Sequence, residues 1–423
     1  MDSVFNLIPS FLLVVLIGGI LLKSVFSRDK SLLFAPIVYI SLCFVYYVLL
    51  PYFNRANLYG VDLSEGVSFL LWGAMVNYVA ILFAFHYSHP SSYFKKTNVV
   101  LTQKNILSIA VTLFLFAFIC NGLFNGFGLS FISASDTIDF DPDASYNHPE
   151  MYLTSLVSLF PASACLIWMS GKKRWLFTLI LVVAIFVYLI SGFRFRLVLL
   201  LIPLFVVIHL YPSPKKVKWV IWIPIVVCFY LLMGIIESSR TYGRGLDVDK
   251  LTEIEKTGVE EAKENESVYT FSAATMVAYS DSRIYFEPLF TAIMMPIPRA
   301  IFPAKPQGKY LRDANIKVFG SINHGAAFLN FTEAYIAFGW VGIIINGLFI
   351  GWLCKIFWSN YTRNKKSIGA ILLLAIFDGF TYVLISRGYM AQALTNYIYY
   401  IPMFYWLAIF LAKRFKSNTK VNC

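Results

Sequence analysis

Seven charged or titratable side chains border the apolar stretches of this sequence, and most of them are arginines. They are Arg194, Arg196, Arg240, Arg299, Arg387, His324 and Glu333. A guanidinium group is a planar fork of N–H donors, and it binds a phosphate or a carboxylate through two parallel hydrogen bonds. Charged groups close to a bilayer usually serve a function, so the set predicts a site for an anionic group. The alternative is that each arginine only anchors a helix at the membrane interface.

The composition places these residues in a membrane protein. Of the 423 residues, 58% are hydrophobic and only 14% are charged, whereas a soluble domain carries roughly 25% charged residues. The six cysteines are scattered singly, which indicates neither a disulfide framework nor a zinc site. The basic residues form small clusters between apolar stretches, so we expect no nucleic-acid partner.

Eleven stretches are apolar and long enough to be membrane-spanning helices, since about 20 residues cross the hydrocarbon core. They are residues 7–26, 32–53, 67–87, 105–126, 152–169, 175–192, 193–211, 219–236, 335–357, 368–385 and 391–412. The sequence therefore predicts an all-α fold. In the ninth stretch, four glycines are expected to allow close helix contacts. These are Gly339, Gly342, Gly347 and Gly351.

The orientation of the spans follows from the basic residues in the short connections. Alternate connections hold 16 Lys and 4 Arg, which marks them as cytoplasmic. This places the N-terminus outside and the C-terminus inside. The opposite side holds 6 Lys and 9 Arg. Arginines outside the membrane work against the charge rule, so we expect another role to keep them there.

The chain divides into three parts by the length of its connections. Residues 1–236 form a bundle of eight spans, residues 237–333 form a long external connection, and residues 334–423 form a second bundle of three spans. Within the connection, residues 286–303 are apolar but interrupted by prolines and too short to cross. We expect an amphipathic segment in the interface or a re-entrant one. The alternative is a small extracellular core.

No motif of a soluble enzyme is present: the sequence has no P-loop, no HExxH, no GxSxG and no metal-spaced His/Cys cluster. We therefore expect neither a cofactor nor a metal ion.

Five segments from about residue 191 onward resemble one bacterial family, the Wzy-type polymerases of O-antigen and capsular repeat units. They read SGFRFRLVLLL, ESSRTYGR, PIPRAIFPAKP, HGAAFLNFTEAYIAFGWVG and ISRGYMAQALTNY. Their order and spacing resemble the arginine-bearing breaks and the proline-rich external loop of that family. The earlier spans resemble it only in hydropathy.

The resemblance implies a helical bundle of the GT-C type in the cytoplasmic (inner) membrane, with its active site facing the periplasm. It also implies a polysaccharide polymerase, a glycosyltransferase of O-antigen or capsule biosynthesis. In such an enzyme, a sugar hydroxyl of one undecaprenyl-diphosphate-linked unit attacks the anomeric carbon of another. The five arginines would then stabilise the departing diphosphate, and His324 or Glu333 would accept the proton of the hydroxyl.

The partners implied are the lipid-linked glycans, the bilayer and a regulator of polysaccharide chain length. The sequence leaves two alternatives open. O-antigen ligases share the layout and place a His and arginines in the same loop, so His324 is compatible with a ligase. A transporter of lipid-linked oligosaccharides is the other alternative, although transporters favour internal repeats and short loops.

Overall fold

The structure, a computed structural model, describes residues 4–54, 64–89, 103–125, 156–171, 174–190, 194–225, 227, 266–279, 283–294, 297, 301–302 and 329–386. In these ranges all regular secondary structure is helical. The helices are α1 (Val4–Phe26), α2 (Pro36–Phe53), α3 (Ser64–Tyr87), α4 (Gln103–Asn125), α5 (Phe160–Ser170), α6 (Arg174–Ile190), α7 (Arg194–Leu210), α8 (Glu266–Met276), α9 (Glu287–Met294), α10 (Asn330–Arg363) and α11 (Ile368–Ser386). Short helical turns precede α2 and α5, and another follows α8.

Six of these helices are long and apolar enough to cross a membrane, namely α1, α2, α3, α4, α10 and α11. Helices α5, α6 and α7 are apolar but shorter. The prediction of an all-helical membrane protein is therefore confirmed. The eighth predicted span is described only at its start and the eleventh lies outside the described residues. The number of eleven spans and their absolute orientation stay predictions.

Local sequence signals explain several helix ends. Asp29 begins a short turn and accepts a hydrogen bond from the backbone N–H of Ser31 at 3.0 Å. Pro36 occupies the first turn of α2, where its missing N–H costs no intrahelical bond. Helix α5 ends at Gly171, whose φ of 64° is the left-handed conformation that glycine adopts without strain. These signals set the boundaries that hydropathy alone leaves open.

The chain forms two compact units. The described residues of the first unit fall within Met1–Lys95, Glu264–Lys365 and Phe380–Ile401. Those of the second fall within Lys96–Lys263, Lys366–Gly379 and Pro402–Cys423. In the second unit, α4 and α5 pack as antiparallel neighbours, since Ser163 donates to the Ala110 carbonyl at 2.7 Å and Phe160 meets Phe114.

In the first unit, α3 and the long part of α10 run parallel to each other. Gly73 lies against Ile343, and a β-carbon at Gly347 would lie 2.5 Å from the Asn77 carbonyl oxygen. Farther along, the Lys355 ammonium lies 5.4 Å from the centre of the Phe85 ring. The two helices contain the third and ninth predicted spans. Their common direction agrees with the predicted alternation, in which both run from outside to inside.

The two ends of the first unit differ in character. At one end Lys365 forms an ion pair with Asp29 at 3.3 Å. Partial burial opposes ionisation of Asp29, but hydrogen bonds from Ser31 and Lys365 outweigh it, and the pKa lies below its usual 3.8. The other end holds the start of α3, with Gly66 against the Thr275 carbonyl of α8. We refer to these as the Asp29 end and the Gly66 end.

Helix α10 differs from the prediction for the ninth span. The backbone leaves helical geometry at Phe338 and at Gly339, where φ is 62° and ψ is −148°. Only glycine adopts that conformation without strain. The break separates a short arm, residues 330–337, from a long arm, residues 340–363. Gly339 was expected to allow a helix contact, but no atom lies within 4 Å of its β-carbon position, so it acts through backbone conformation instead.

Candidate functional site

The two arms of α10 form a tight helical hairpin at the Gly66 end of the first unit. Gly342 of the long arm touches the carbonyl oxygen of Ala334 in the short arm. The Nδ2 atom of Asn330 donates to Oδ1 of Asn346 at 2.9 Å. Since residues before the break contact residues equally far beyond it, the arms run antiparallel. We call residues 330–346 the α10 hairpin.

A cluster of three buried asparagines joins the hairpin to α3. Nδ2 of Asn77 donates to the Ile343 carbonyl at 2.9 Å and to Oδ1 of Asn346 at 3.2 Å. Asn77, Asn330 and Asn346 are each at most 8% exposed. Among the described residues, Oδ1 of Asn77 and Oδ1 of Asn330 accept no hydrogen bond. The cluster therefore keeps hydrogen-bonding capacity inside an otherwise apolar bundle, which is unusual for buried amides.

Glu333 lies one helical turn after Asn330 on the short arm and is only 1% exposed. It belongs to the first turn of the short arm. Neighbouring Phe331 stacks on Phe44 with ring centres 6.2 Å apart and fixes the arm against α2. A buried acidic group in a membrane bundle is by default a functional candidate. The predicted site residue is thus located inside the protein beside the asparagine cluster.

The C-terminal half of α2 adds a second polar contact in the same unit. Residues Val45–Leu49 form a π-helical turn, a feature that often marks functional positions. The hydroxyl of Tyr47, which is fully buried, donates to the hydroxyl of Tyr382 in α11 at 2.7 Å. Ser386, the last residue of α11, donates to the Tyr382 carbonyl at 2.8 Å. Predicted site residue Arg387 follows Ser386 directly in the sequence and lies outside the described residues.

Part of the predicted external connection folds against the Gly66 end. Helix α8 packs on α3 and on the π-helical turn of α2. Its serines and threonines, Ser267, Thr270, Ser272 and Thr275, are buried. A helix this polar stays buried only where its neighbours are protein rather than lipid. The connection therefore contributes to the interior of the first unit.

The predicted arginines are only partly described. Arg196 lies in the first turns of α7, in the second unit, and interacts electrostatically with Tyr188. The Tyr188 hydroxyl itself donates to the Val157 carbonyl at 2.7 Å. The backbone of Arg194 begins α7, but its side chain lies outside the described residues. Arg240, Arg299 and His324 lie outside them as well. That the arginines and Glu333 lie together in one site stays a prediction.

The sequence predicted Glu333 as a site residue but did not point to the asparagines around it. Asn77 and Asn346 were visible as amides in the middle of apolar spans, a pattern typical of interhelical hydrogen bonds. Nothing in the sequence predicted that Asn77 and Asn346 lie close to Asn330. In the described ranges, no three His, Cys, Asp or Glu residues come together as metal ligands would.

Comparison with known proteins adds no relative. No protein-family model, no curated protein and no solved structure matches the chain.

Proposed function

We propose that this protein is a polymerase of undecaprenyl-diphosphate-linked oligosaccharide units, acting at the outer face of the cytoplasmic membrane. The observation that carries the proposal is Glu333, a carboxylate buried in the short arm of a broken membrane helix. A carboxylate in such a position is a candidate general base for a sugar hydroxyl. The resemblance of the second half of the chain to Wzy-type polymerases and the excess of outer arginines support the same reading.

The reaction transfers a glycan from one lipid carrier to another glycan. A hydroxyl oxygen of the incoming unit forms a bond with the anomeric carbon of the growing chain. The bond from that carbon to the diphosphate oxygen breaks, and the undecaprenyl diphosphate leaves with the electron pair. Glu333 or His324 takes the hydroxyl proton. Arg194, Arg196, Arg240, Arg299 and Arg387 are assigned to the diphosphate, where fixed positive charge stabilises the developing negative charge.

The experiment that tests this uses purified full-length protein in detergent, given undecaprenyl-diphosphate-linked repeat unit from the same strain, EDTA and no nucleotide sugar. We expect a ladder of glycans that differ by one repeat unit. We expect Arg194→Ala and Arg387→Ala to abolish the ladder. Transfer to a lipid A core acceptor without a ladder would make the protein an O-antigen ligase instead.

One observation favours a second function, a transporter of lipid-linked oligosaccharides. Transporters commonly place polar groups at the break of a discontinuous helix, and α10 breaks at Gly339 beside buried asparagines. Reconstituted vesicles distinguish the two. If a fluorescent lipid-linked unit moves across the bilayer and the glycan length does not change, the protein is a transporter and not a polymerase.

A further inference from the structure

Helix α9 exposes an apolar stripe on one face. The stripe consists of Phe286, just before the helix, and Leu289, Phe290 and Ile293. These residues follow a spacing of three and four, so they lie on one side of a helix. Between 43% and 67% of each side chain is exposed. Pro288, Thr291 and Ala292 on the other side are buried.

The start of α9 is fixed to the turn of the α10 hairpin. The backbone N–H of Ile284 donates to the Ile336 carbonyl at 3.2 Å. The Phe286 ring meets the Phe338 ring edge-on, with centres 5.0 Å apart. Phe338 is one of the two residues at the break of α10. The stripe therefore begins at the level of the hairpin turn.

The stripe continues the lipid-facing surface of the long arm. Beyond the turn, the long arm exposes Trp340, Val341, Ile344, Ile345 and Leu348. Helix α10 is among the helices long and apolar enough to cross a membrane, so this exposed face borders lipid. With eight residues, α9 spans only about 12 Å, far less than the roughly 30 Å hydrocarbon core. A short apolar stripe joined to a lipid-facing helix end belongs in the interface.

Two aromatic rings and an arginine lie beside the hairpin turn, as is typical of residues at the membrane interface. Tyr335 and Trp340 lie beside the turn with ring centres 6.0 Å apart, and tyrosine and tryptophan concentrate at the boundary between headgroups and acyl chains. The exposed Arg283 guanidinium lies 5.2 Å from the centre of the Tyr335 ring. A long basic side chain that starts beside interfacial aromatic rings can extend its charged head to the lipid phosphates.

We propose that α9 lies in the bilayer interface, with its stripe among the acyl chains and with Arg283 bound to the phosphate of a lipid in the adjoining leaflet. The occupant is the lipid surface, because the stripe is continuous with the lipid-facing side of α10. The inference concerns Arg283, α9 and the hairpin turn, and it does not depend on the proposed polymerase activity.

The position of the stripe is tested by fluorescence quenching in nanodiscs. Full-length cysteine-free protein receives single cysteines by Phe290→Cys or Ile293→Cys, each labelled with an environment-sensitive dye. Phe349→Cys, deeper in the long arm, and Lys366→Cys, which follows Lys365 in the sequence, are controls. We expect labels at 290 and 293 to be quenched most by lipids with a shallow nitroxide, the label at 349 by a deep one, and the label at 366 by aqueous iodide. Quenching of 290 and 293 by iodide alone would overturn the interfacial position.

The phosphate contact is tested by lipid retention. Phosphatidylglycerol and diacylglycerol, which lacks the phosphate, are added to the detergent-purified protein, and bound lipid is counted by native mass spectrometry. Arg283→Gln should lower retained phosphatidylglycerol by roughly fivefold, the factor expected for one basic contact with a headgroup. Arg283→Lys should retain an amount of phosphatidylglycerol between those of Arg283→Gln and the wild type. Arg363→Gln should retain as much as the wild type. Equal retention by monodisperse Arg283→Gln protein would overturn the assignment of Arg283.

Discussion

Nδ2 of Asn330 and Oδ1 of Asn346 meet at 2.9 Å across the break in α10, and Asn77 of α3 donates to the same oxygen at 3.2 Å. This one acceptor thus joins both arms of the hairpin to a neighbouring helix. The short arm carries Glu333, so the contact also holds the buried carboxylate in place. Interhelical amide bonds of this kind stabilise membrane bundles where no water competes for the donors.

Replacing the shared acceptor should loosen the hairpin. Asn346→Leu keeps the volume but leaves two buried Nδ2 donors without their common partner, so we expect a loss of about 1–2 kcal/mol. Thermal unfolding in detergent measures it, with Asn54→Ala as the control at an exposed position. An unfolding temperature equal to that of the control would mean that the cluster does not hold the hairpin.

Close packing of α3 against α10 should tolerate no added methyl group. A β-carbon at Gly351 would collide with the Ile81 carbonyl and lie 2.9 Å from the Ala84 β-carbon. Gly351→Ala should therefore lower the unfolding temperature, because backbone atoms must separate. Gly18→Ala in α1 is the matched control, since nothing lies within 4 Å of its β-carbon position. Equal stability of both variants would contradict the close approach of these two helices at Gly351.

The break at Gly339 should depend on its left-handed backbone. Gly339→Ala adds a β-carbon where φ is 62°, which costs about 1–3 kcal/mol if the break is kept. We expect a lower unfolding temperature and faster proteolysis near the hairpin. Gly19→Ala has open space around it and serves as the control. If Gly339→Ala is as stable as the wild type, α10 runs straight through this position.

These glycines also show how far the sequence predicted the fold. Hydropathy predicted an all-helical membrane protein, because the length of an apolar run reports directly on the thickness of the bilayer. Gly347 and Gly351 were expected at a helix contact and do lie there. The break at Phe338–Gly339 was not predicted, since a backbone dihedral leaves no trace in an apolar run. Likewise, Glu333 was predicted from its place at a span boundary, whereas the contacts of Asn330 and Asn77 with Asn346 depend on tertiary packing.

The Asp29–Lys365 ion pair predicts a small dependence of stability on pH. The pKa of Asp29 is lower in the folded protein than its usual 3.8, so its contribution is present above about pH 4 and is lost as the pH falls through the folded pKa. Both side chains are 44–45% exposed, which limits the effect to roughly 0.2–1 kcal/mol. Asp29→Asn should unfold slightly below wild type at pH 7, and the difference should shrink steadily as the pH falls from about 4 toward about 2. A difference that stays constant over this range would show that another group is responsible.

The most direct test of polymerase activity with Glu333 as the proton acceptor compares Glu333 variants in the polymerisation assay. Purified full-length protein receives the native lipid-linked repeat unit with EDTA, and glycan length is read on a gel. We expect a ladder from the wild type and from Asp29→Asn, and a rate at least about 100-fold lower from Glu333→Gln, with partial activity in Glu333→Asp. Full activity in Glu333→Gln together with its loss in His324→Ala would transfer the proton-accepting role to His324. No ladder from folded wild-type protein and its native substrate would contradict the polymerase itself.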